Sequence, residues 1–468
     1  MSGLQTVRKS PLPVRAGRFL ERHFSGEGIA VRDIVALIIP ILVDQAFVVC
    51  LTLLNTAMVS TSGVAAVSAV NMVDSLNIFL LQVFIAVATG GTVVVAQYRG
   101  SGNEEMVVRS AAQAISAVAI LSLVISVLLI IFHGPVLGVL FGKAEEDVME
   151  NARVYLIGSC VSYPFIAVVE ACCGALRGVA ETKSSLGLSL VTNLGYMLLN
   201  VLFITVLDLG VRGLVISLIA SRLIGMAISL LYLSLYNHTL HFHIRDALKI
   251  DPAIQRRIMF IGLPFAAEQM FFNGGKLLTQ TFIVGLGTLS LTINAICSSL
   301  TNLFQIGSNA LNLAVVTVVG QCMGRRDVAD ARKFVKSFIG LSTCSFILGA
   351  SVMLPLFHPL VSLFHPPAEI VPTIFTIVAM TAIGQPLLWS MSFITPSALR
   401  AAGDSKFTSV VSMCSMWLFR VVMGYVFGIT LGFGIIGVWA AMNLEWGVRG
   451  LVFMLRFRGN KWHAHHVI

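Results

Sequence analysis

The chain's 468 residues are 57% hydrophobic and only 11% charged, with a formal net charge of +9. Soluble domains carry roughly 25% charged residues, so this composition cannot coat a water-facing surface and excludes a soluble enzyme. The positive charge falls in short segments between apolar runs, a pattern that orients helices in a bilayer and argues against a nucleic-acid partner.

In chain order, residues 1–33 hold Arg8, Lys9, Arg15, Arg18 and Arg22 without an apolar core, so they read as a cytosolic tail and not as a cleavable signal. A membrane-crossing helix needs about 20 mostly apolar residues. Such runs occur near 34–57, 66–96, 110–132, 152–175, 185–207 and 211–236, then near 258–285, 289–321, 335–357, 369–398, 408–429 and 433–455. The expected fold is an all-α integral membrane protein with twelve transmembrane helices. The second, eighth and tenth runs are long enough to require tilt or a kink. Arg99 and Arg109, Arg177 and Lys183, Arg245 to Arg257, Arg325 to Lys336, and Arg400 with Lys406 follow the even-numbered runs, whereas the odd-numbered connections lack this excess. The positive-inside rule then places both termini in the cytoplasm.

The sequence repeats itself. "PILVDQAF" (Pro40–Phe47) returns as "PFAAEQMF" (Pro264–Phe271), and "VAQYRGSGN" (Val95–Asn103) as "VGQCMGRRD" (Val319–Asp327), both 224 residues on. "ALRGVAETK" (Ala175–Lys183) returns as "ALRAAGDSK" (Ala398–Lys406), 223 residues on. Three matches in one order predict two pseudosymmetric six-helix lobes, an N-lobe over 34–236 and a C-lobe over 258–456. A cytosolic linker (237–257) joins them, and a cytosolic tail (457–468) follows. Six being even, both lobes enter from one side. Parallel repeats of this kind suit a transporter whose substrate sits between rocking halves.

A charge inside a span costs at least 2.5–3.5 kcal/mol on insertion scales, so each intramembrane charge needs a reason. Asp44 and Glu268 occupy the same place in the two repeats, about 15 Å into their helices at 1.5 Å per residue. Each reads either as a proton- or cation-binding carboxylate, or as a tether for a helix loosened by Pro40 or Pro264. Lys276 stands two turns beyond Glu268 and either gates that acid or snorkels. Asp74, with Asn71 and Asn77, joins Asn55, Asn193, Tyr196, Asn200, Ser217, Ser221 and Arg222 as a candidate polar chamber in the N-lobe. Arg222 could neutralise Asp74, Asp44 or Glu170. Arg420 and the Glu445/Arg449 pair, at an i, i+4 spacing, read as structural. The coupling candidates are thus Asp44, Glu268, Lys276, Asn55, Asn200, Asp74 and Tyr196. Gln45, Gln269, Phe272, Asn273 and Met391 are candidates for a substrate cleft, where Met and aromatic rings repack around varied ligands.

The "P-x-x-x-[acid]-Q" openings, the "V-x-Q-x-x-G" endings and the "ALR…G-[acid]-[ST]-K" loops resemble multidrug and toxic compound extrusion (MATE) transporters of bacterial type, from about Asp33 to Trp462. The resemblance implies export of bulky cationic or aromatic compounds by antiport with protons or sodium ions, and a role in drug resistance. It also marks departures. Where many members carry a deep acid in the first span this chain has Asn55, and where they carry an Asn and an Asp in the fifth it has Tyr196 and Asn200. An acid found in the seventh span of another branch is here Phe272. The partners implied are small-molecule substrates and the lipid bilayer, with the chain acting as a monomer in a bacterial cytoplasmic (inner) membrane. The rival readings are a lipid-linked oligosaccharide flippase of the same superfamily, which needs a cationic cavity, and an intramembrane enzyme or sensor.

No HExxH, GxSxG or Walker loop occurs, so no catalytic residue, metal or cofactor is expected. The eight cysteines make no CxxC pair and read as buried thiols.

Overall fold

The computed structural model describes residues 21, 23–26, 29–59, 64–141, 145–465 and 467–468. The path is helical almost throughout, with no strand longer than an isolated bridge between Gly26 and Ile29 among the described residues. The first half comprises α1 (Val31–Val59), α2 (Val64–Gly100), α3 (Glu104–Ile131), α4 (Glu146–Gly178), α5 (Thr182–Val206) and α6 (Gly210–Tyr236). The second comprises α7 (Pro252–Gly285), α8 (Thr288–Gly324), α9 (Val328–Met353), α10 (Ala368–Ala401), α11 (Ser405–Thr430) and α12 (Gly434–Arg458). Short helices at His133–Phe141, Ile244–Leu248 and Phe357–Ser362 lie in the connections.

Ten of these helices are long and apolar enough to cross a membrane. The other two are α7 and α12, and the reason is charge. Arg256, Arg257, Glu268 and Lys276 fall on α7, and Glu445, Arg449, Arg456 and Arg458 on α12. Most helices run past their apolar runs, and three of them start at a polar side-chain cap, Asn103, Asp251 or Asp327. Asp251 caps α7 through the N–H of Ala253 at 3.0 Å, so this helix starts at Pro252, inside the stretch expected as linker. The three long spans differ. The second and eighth are continuous 37-residue helices, whereas α10 passes through a π-helical turn at Gln385–Trp389 that contains Pro386.

The repeat is visible in backbone detail. Asn103 caps α3 by accepting from Met106 N–H at 3.1 Å, and Asp327, its mate 224 residues on, caps α9 by accepting from Asp330 N–H at 2.9 Å. The preceding turns need positive φ at Gly102 (75°) and Arg326 (62°), and the later pair at Ala180 (67°) and Gly403 (100°). In each pair one member is glycine, for which this conformation is free of Cβ strain, and the other is not. The turn geometry has outlived the residue that suits it best.

The two halves meet along α1, α2, α7 and α8, with α2 packed on α7 and α8, and α8 on α1. Glycines permit this crossing. A Cβ on Gly90 of α2 would lie 2.6 Å from the Ile258 carbonyl of α7, and one on Gly262 would lie 3.0 Å from Val87 Cα. At the end of the bundle that carries residues 23–26 and the C-terminal residues, here called the terminal end, a Cβ on Gly100 would lie 2.0 Å from the Gln321 carbonyl, and one on Gly324 would lie 1.9 Å from that of Gln97. Between them runs a crossed pair of side-chain bonds. Gln97 of α2 donates to Ala401 O at the end of α10 (2.7 Å), while Gln321 of α8 donates to Gly178 O at the end of α4 (3.1 Å). Thr317 adds a bond to Arg177 O at 3.0 Å. The last carbonyls of a helix have no partner within it, and here the opposite half supplies one.

Because Cβ atoms do not fit at this crossing, Gly324→Ala is expected to part the halves at the terminal end. In a single-cysteine background, the buried native Cys322 then becomes several-fold more reactive to a maleimide added from that side. Unchanged Cys322 labelling would contradict this account of the crossing.

Candidate functional site

A cavity of about 720 Å³ lies beside this closed crossing, in the range of drug-sized pockets (about 300–1,000 Å³). One wall is α2, through Gln82 and Thr89; the rest comes from α7, α8, α10, α11 and α12. It extends from Arg400 toward Ile283 and Val438, away from the glutamine bonds. Amides of α7 and α8, among them Gln269, Asn273, Asn302 and Asn309, give it neutral polar surface. Aromatic rings give it flat apolar surface, with Trp389 stacked on Phe393 at 4.5 Å and Trp446 edge-on to Phe393 at 6.4 Å.

The charges in and behind the lining form two groups. Glu268 is buried against Arg400 at 3.2 Å, accepts from the Ser409 hydroxyl at 3.1 Å, and so is fully engaged. Arg400 also stacks 3.7 Å from the centre of the Phe265 ring. The second group centres on Phe272, whose ring lies 4.9 Å from Lys276 Nζ, 5.5 Å from Arg420 Cζ and 5.7 Å from Arg449 Cζ. Behind them the fully buried Glu445 bridges Arg449 at 3.0 Å and Arg420 at 3.8 Å. Arg449 also donates to Ser392 at 2.5 Å.

The first half builds a different cluster. Asp74 accepts from Tyr155 (2.7 Å) and Asn77 (3.0 Å), Asn77 donates to Ser159 (3.1 Å), and Tyr163 donates to Asn77 (2.6 Å). Arg222 donates to Ser162 at 2.7 Å, within electrostatic reach of Asp74, Glu170, Tyr155 and Tyr196. Nearer the terminal end, Asp44 is half-buried, with Arg177, Glu170 and Ser189 around it. Its Oδ1 is buried without a hydrogen-bond partner.

The sequence candidates therefore divide. Glu268, Lys276, Gln269, Phe272 and Asn273 line the cavity. Asp74 and Tyr196 join the first-half cluster with Arg222, Asn200 is fully buried on α5, and the side chain of Asn55 lies outside the described residues. Gln45 is half-buried on α1, outside the cavity lining. Met391 is a correction. It packs on Gly450 of α12, and its neighbours Trp389 and Phe393 face the cavity instead. Arg420 and Arg449 are a second correction: the expected Glu445/Arg449 pair forms and Arg420 joins it, yet both arginines, read as structural, also line the cavity. Arg400 is a third. It reads as a loop cation in the sequence but lies buried in the last turn of α10. Its recurrence, with Arg177, in the "ALR" repeat was the signal that could have found it. Tyr155 and Tyr163 carried no such signal.

The MatE family profile matches residues 40–203 and again residues 264–426. Among curated relatives, the uncharacterized transporter YisQ of Bacillus subtilis is 26% identical over 437 residues, spanning 90% of this chain and 93% of its own. A probable multidrug resistance protein NorM of Thermotoga maritima is 24% identical over 447 residues, spanning 93% and 94%. Two solved structures share the fold at 18% identity and a TM-score of 0.82, each covering 91% of this chain and 94% of its own. One is an outward-facing MATE family transporter of the MOP superfamily. The other is a MOP superfamily transporter from Pyrococcus furiosus, described as having a binding pocket of reversed polarity that suggests a different function.

Breaking a buried ion pair by removing one partner costs about 3–5 kcal/mol, whereas removing both is close to neutral. Glu268→Gln is therefore expected to lower the melting temperature of the detergent-solubilised protein more than Asp44→Asn does. Adding Arg400→Gln to Glu268→Gln should recover part of the loss. Equal melting temperatures for the two single variants would contradict the structural role of the Glu268–Arg400 pair.

Proposed function

The chain belongs to the MatE family, and on that footing we propose that it is a secondary active exporter of bulky aromatic compounds. It exchanges them for protons or sodium ions by alternating access between two six-helix lobes. All twelve long helices cross the membrane in this reading, α7 and α12 tolerating their charges because these face the cavity or one another. The basic connections support a cytoplasmic side for both termini, and the reading takes a bacterial inner membrane as the location and the monomer as the working unit.

The observation that carries the reading is a drug-sized cavity beside an inter-lobe crossing that is closed at the terminal end. Gln97 and Gln321 latch that end, and opening it exposes the carbonyls of Ala401 and Gly178 to water. Because water satisfies a carbonyl nearly as well as an amide does, the net contribution of each bond is only about 0.5–1.5 kcal/mol. A latch of that strength can be released in every cycle.

Coupling falls to the first lobe. Asp44 has an unpartnered buried oxygen and a second carboxylate, Glu170, within its field. Glu268, its repeat mate, is held by Arg400 and Ser409. The aromatic lining suits an aromatic cargo. Four basic side chains in that lining speak against a cationic cargo, and they favour as a second reading a flippase for lipid-linked pyrophosphates.

In proteoliposomes, efflux of an aromatic dye is expected to follow an imposed proton or sodium gradient. Asp44→Asn should abolish the gradient dependence while leaving the amount of folded protein in the membrane unchanged. Dye flux indifferent to both gradients would rule out the antiport reading; equal losses of folded protein and of flux would assign Asp44 a structural role.

A further inference from the structure

The cavity's charge deepens this reading, resting on the assignment of the cavity as the cargo site. Its lining contains Lys276, Arg400, Arg420 and Arg449 against Glu268, with Glu445 buried behind them. Glu268 is consumed by Arg400 and Ser409, which leaves the single carboxylate of Glu445 to serve three cations. It pairs with two of them, and among the described residues no carboxylate lies within ion-pair distance of Lys276. The lining is left with a net positive charge in a low-dielectric surround, where an unbalanced charge is costly.

The cations also converge. Lys276, Arg420 and Arg449 come from three helices, yet all lie 4.9–5.7 Å from one ring, that of Phe272. Donors remain open beside them. Arg449 Nη2 and Trp446 Nε1 are buried without a hydrogen-bond partner, whereas Arg420 Nε faces Glu445 at 3.8 Å, and all three side chains line the cavity. Buried donors without acceptors are rare in native proteins, and guanidinium groups bind carboxylate and phosphate oxygens well.

We infer that this cavity is an organic-anion site. It takes a molecule with an aromatic or otherwise apolar body and a carboxylate, sulfonate or phosphate group held between Lys276, Arg420 and Arg449. Trp389 and Phe393 receive the body, and the amides of α7 and α8 hydrate its edge. The first lobe has the opposite polarity. Asp44, Asp74 and Glu170 outnumber Arg177 and Arg222 there, and Phe393 stands where the repeat would place a second Glu170. A cation and an anionic cargo thus have separate seats in the two lobes.

The test is equilibrium binding of fluorescein and of a cationic rhodamine ester of similar xanthene size, read by anisotropy with the full-length protein in nanodiscs and no gradient applied. Fluorescein should bind the native protein at least about tenfold more tightly, the scale of one charged hydrogen bond. Lys276→Gln should weaken fluorescein by about tenfold, and Lys276→Glu should reverse the preference. Lys276 is exposed to the cavity, so the melting temperature should hold. Tighter binding of the rhodamine, or an unchanged preference in Lys276→Gln, would overturn the inference, and the native comparison decides even if a variant fails to fold. A polyprenyl pyrophosphate that displaces fluorescein where inorganic pyrophosphate does not would place the anion's source in the bilayer. Its failure to do so would place the source in solution, and both results sustain an anion site. Failure of the exporter reading is separate: it shows as absent gradient-driven flux of either dye, whatever their affinities.

Discussion

The structure depends on how helix ends are closed inside a membrane protein. A terminal carbonyl that water does not reach needs a donor, and in this chain two helix ends find theirs in the opposite half. Gln97 reaches the end of α10 and Gln321 the end of α4. Both glutamines are in place only if α2 and α8 approach to backbone contact, which Gly100 and Gly324 allow. The cavity, its closed end and the relation of the two halves all follow from that crossing. One short motif, V-x-Q-x-x-G, thus supplies both the close approach and the bond that exploits it.

Duplication explains the frame, and divergence explains the chemistry. Helix caps, turn geometries and the glutamine bonds recur with the repeat, because both halves must close in the same way. The charges are free of that demand. In the second half the acid of the repeated motif, Glu268, is neutralised by Arg400; in the first, Asp44 shares its surroundings with Arg177 and with an additional acid, Glu170. A fully paired carboxylate holds a helix in place but exchanges a proton or ion poorly. A carboxylate with an open oxygen and a like charge nearby is suited to exchange.

Much of this was legible in the sequence, and the rest was hidden for identifiable reasons. Apolar run length located the helices, with ends off by up to seven residues, because a helix satisfies its own backbone groups in lipid. The repeat located Asp44 and Glu268 as mates. The face on which a side chain lies was less legible. Met391 and Phe393 are two residues apart on one regular helix and so point to different sides of it, and only packing shows that the side bearing Trp389, Phe393 and Arg400 is the one that faces the cavity. Arg400 was obscured because a basic residue at a span's end reads as a loop anchor, and only packing shows that it is buried. Spacing identified the Glu445/Arg449 pair but could not show that Arg420 and Lys276 come from other helices to join it.

That assembly bears on how the two lobes can act together. Arg420 and Arg449 share one carboxylate, Glu445, across neighbouring helices, so their positive field is part of the fold and persists without cargo. Lys276 stands apart, on the helix whose other face packs on α2 across the halves. α7 belongs to the same lobe as α11 and α12, and its Glu268 is tied to Arg400 and to Ser409 of α11. In the reading of rocking lobes, Lys276, Arg420 and Arg449 therefore keep their spacing, and the wall that moves against them is α2, through Gln82 and Thr89. An anion would then leave when that wall opens to water, because water screens its attraction to the three cations.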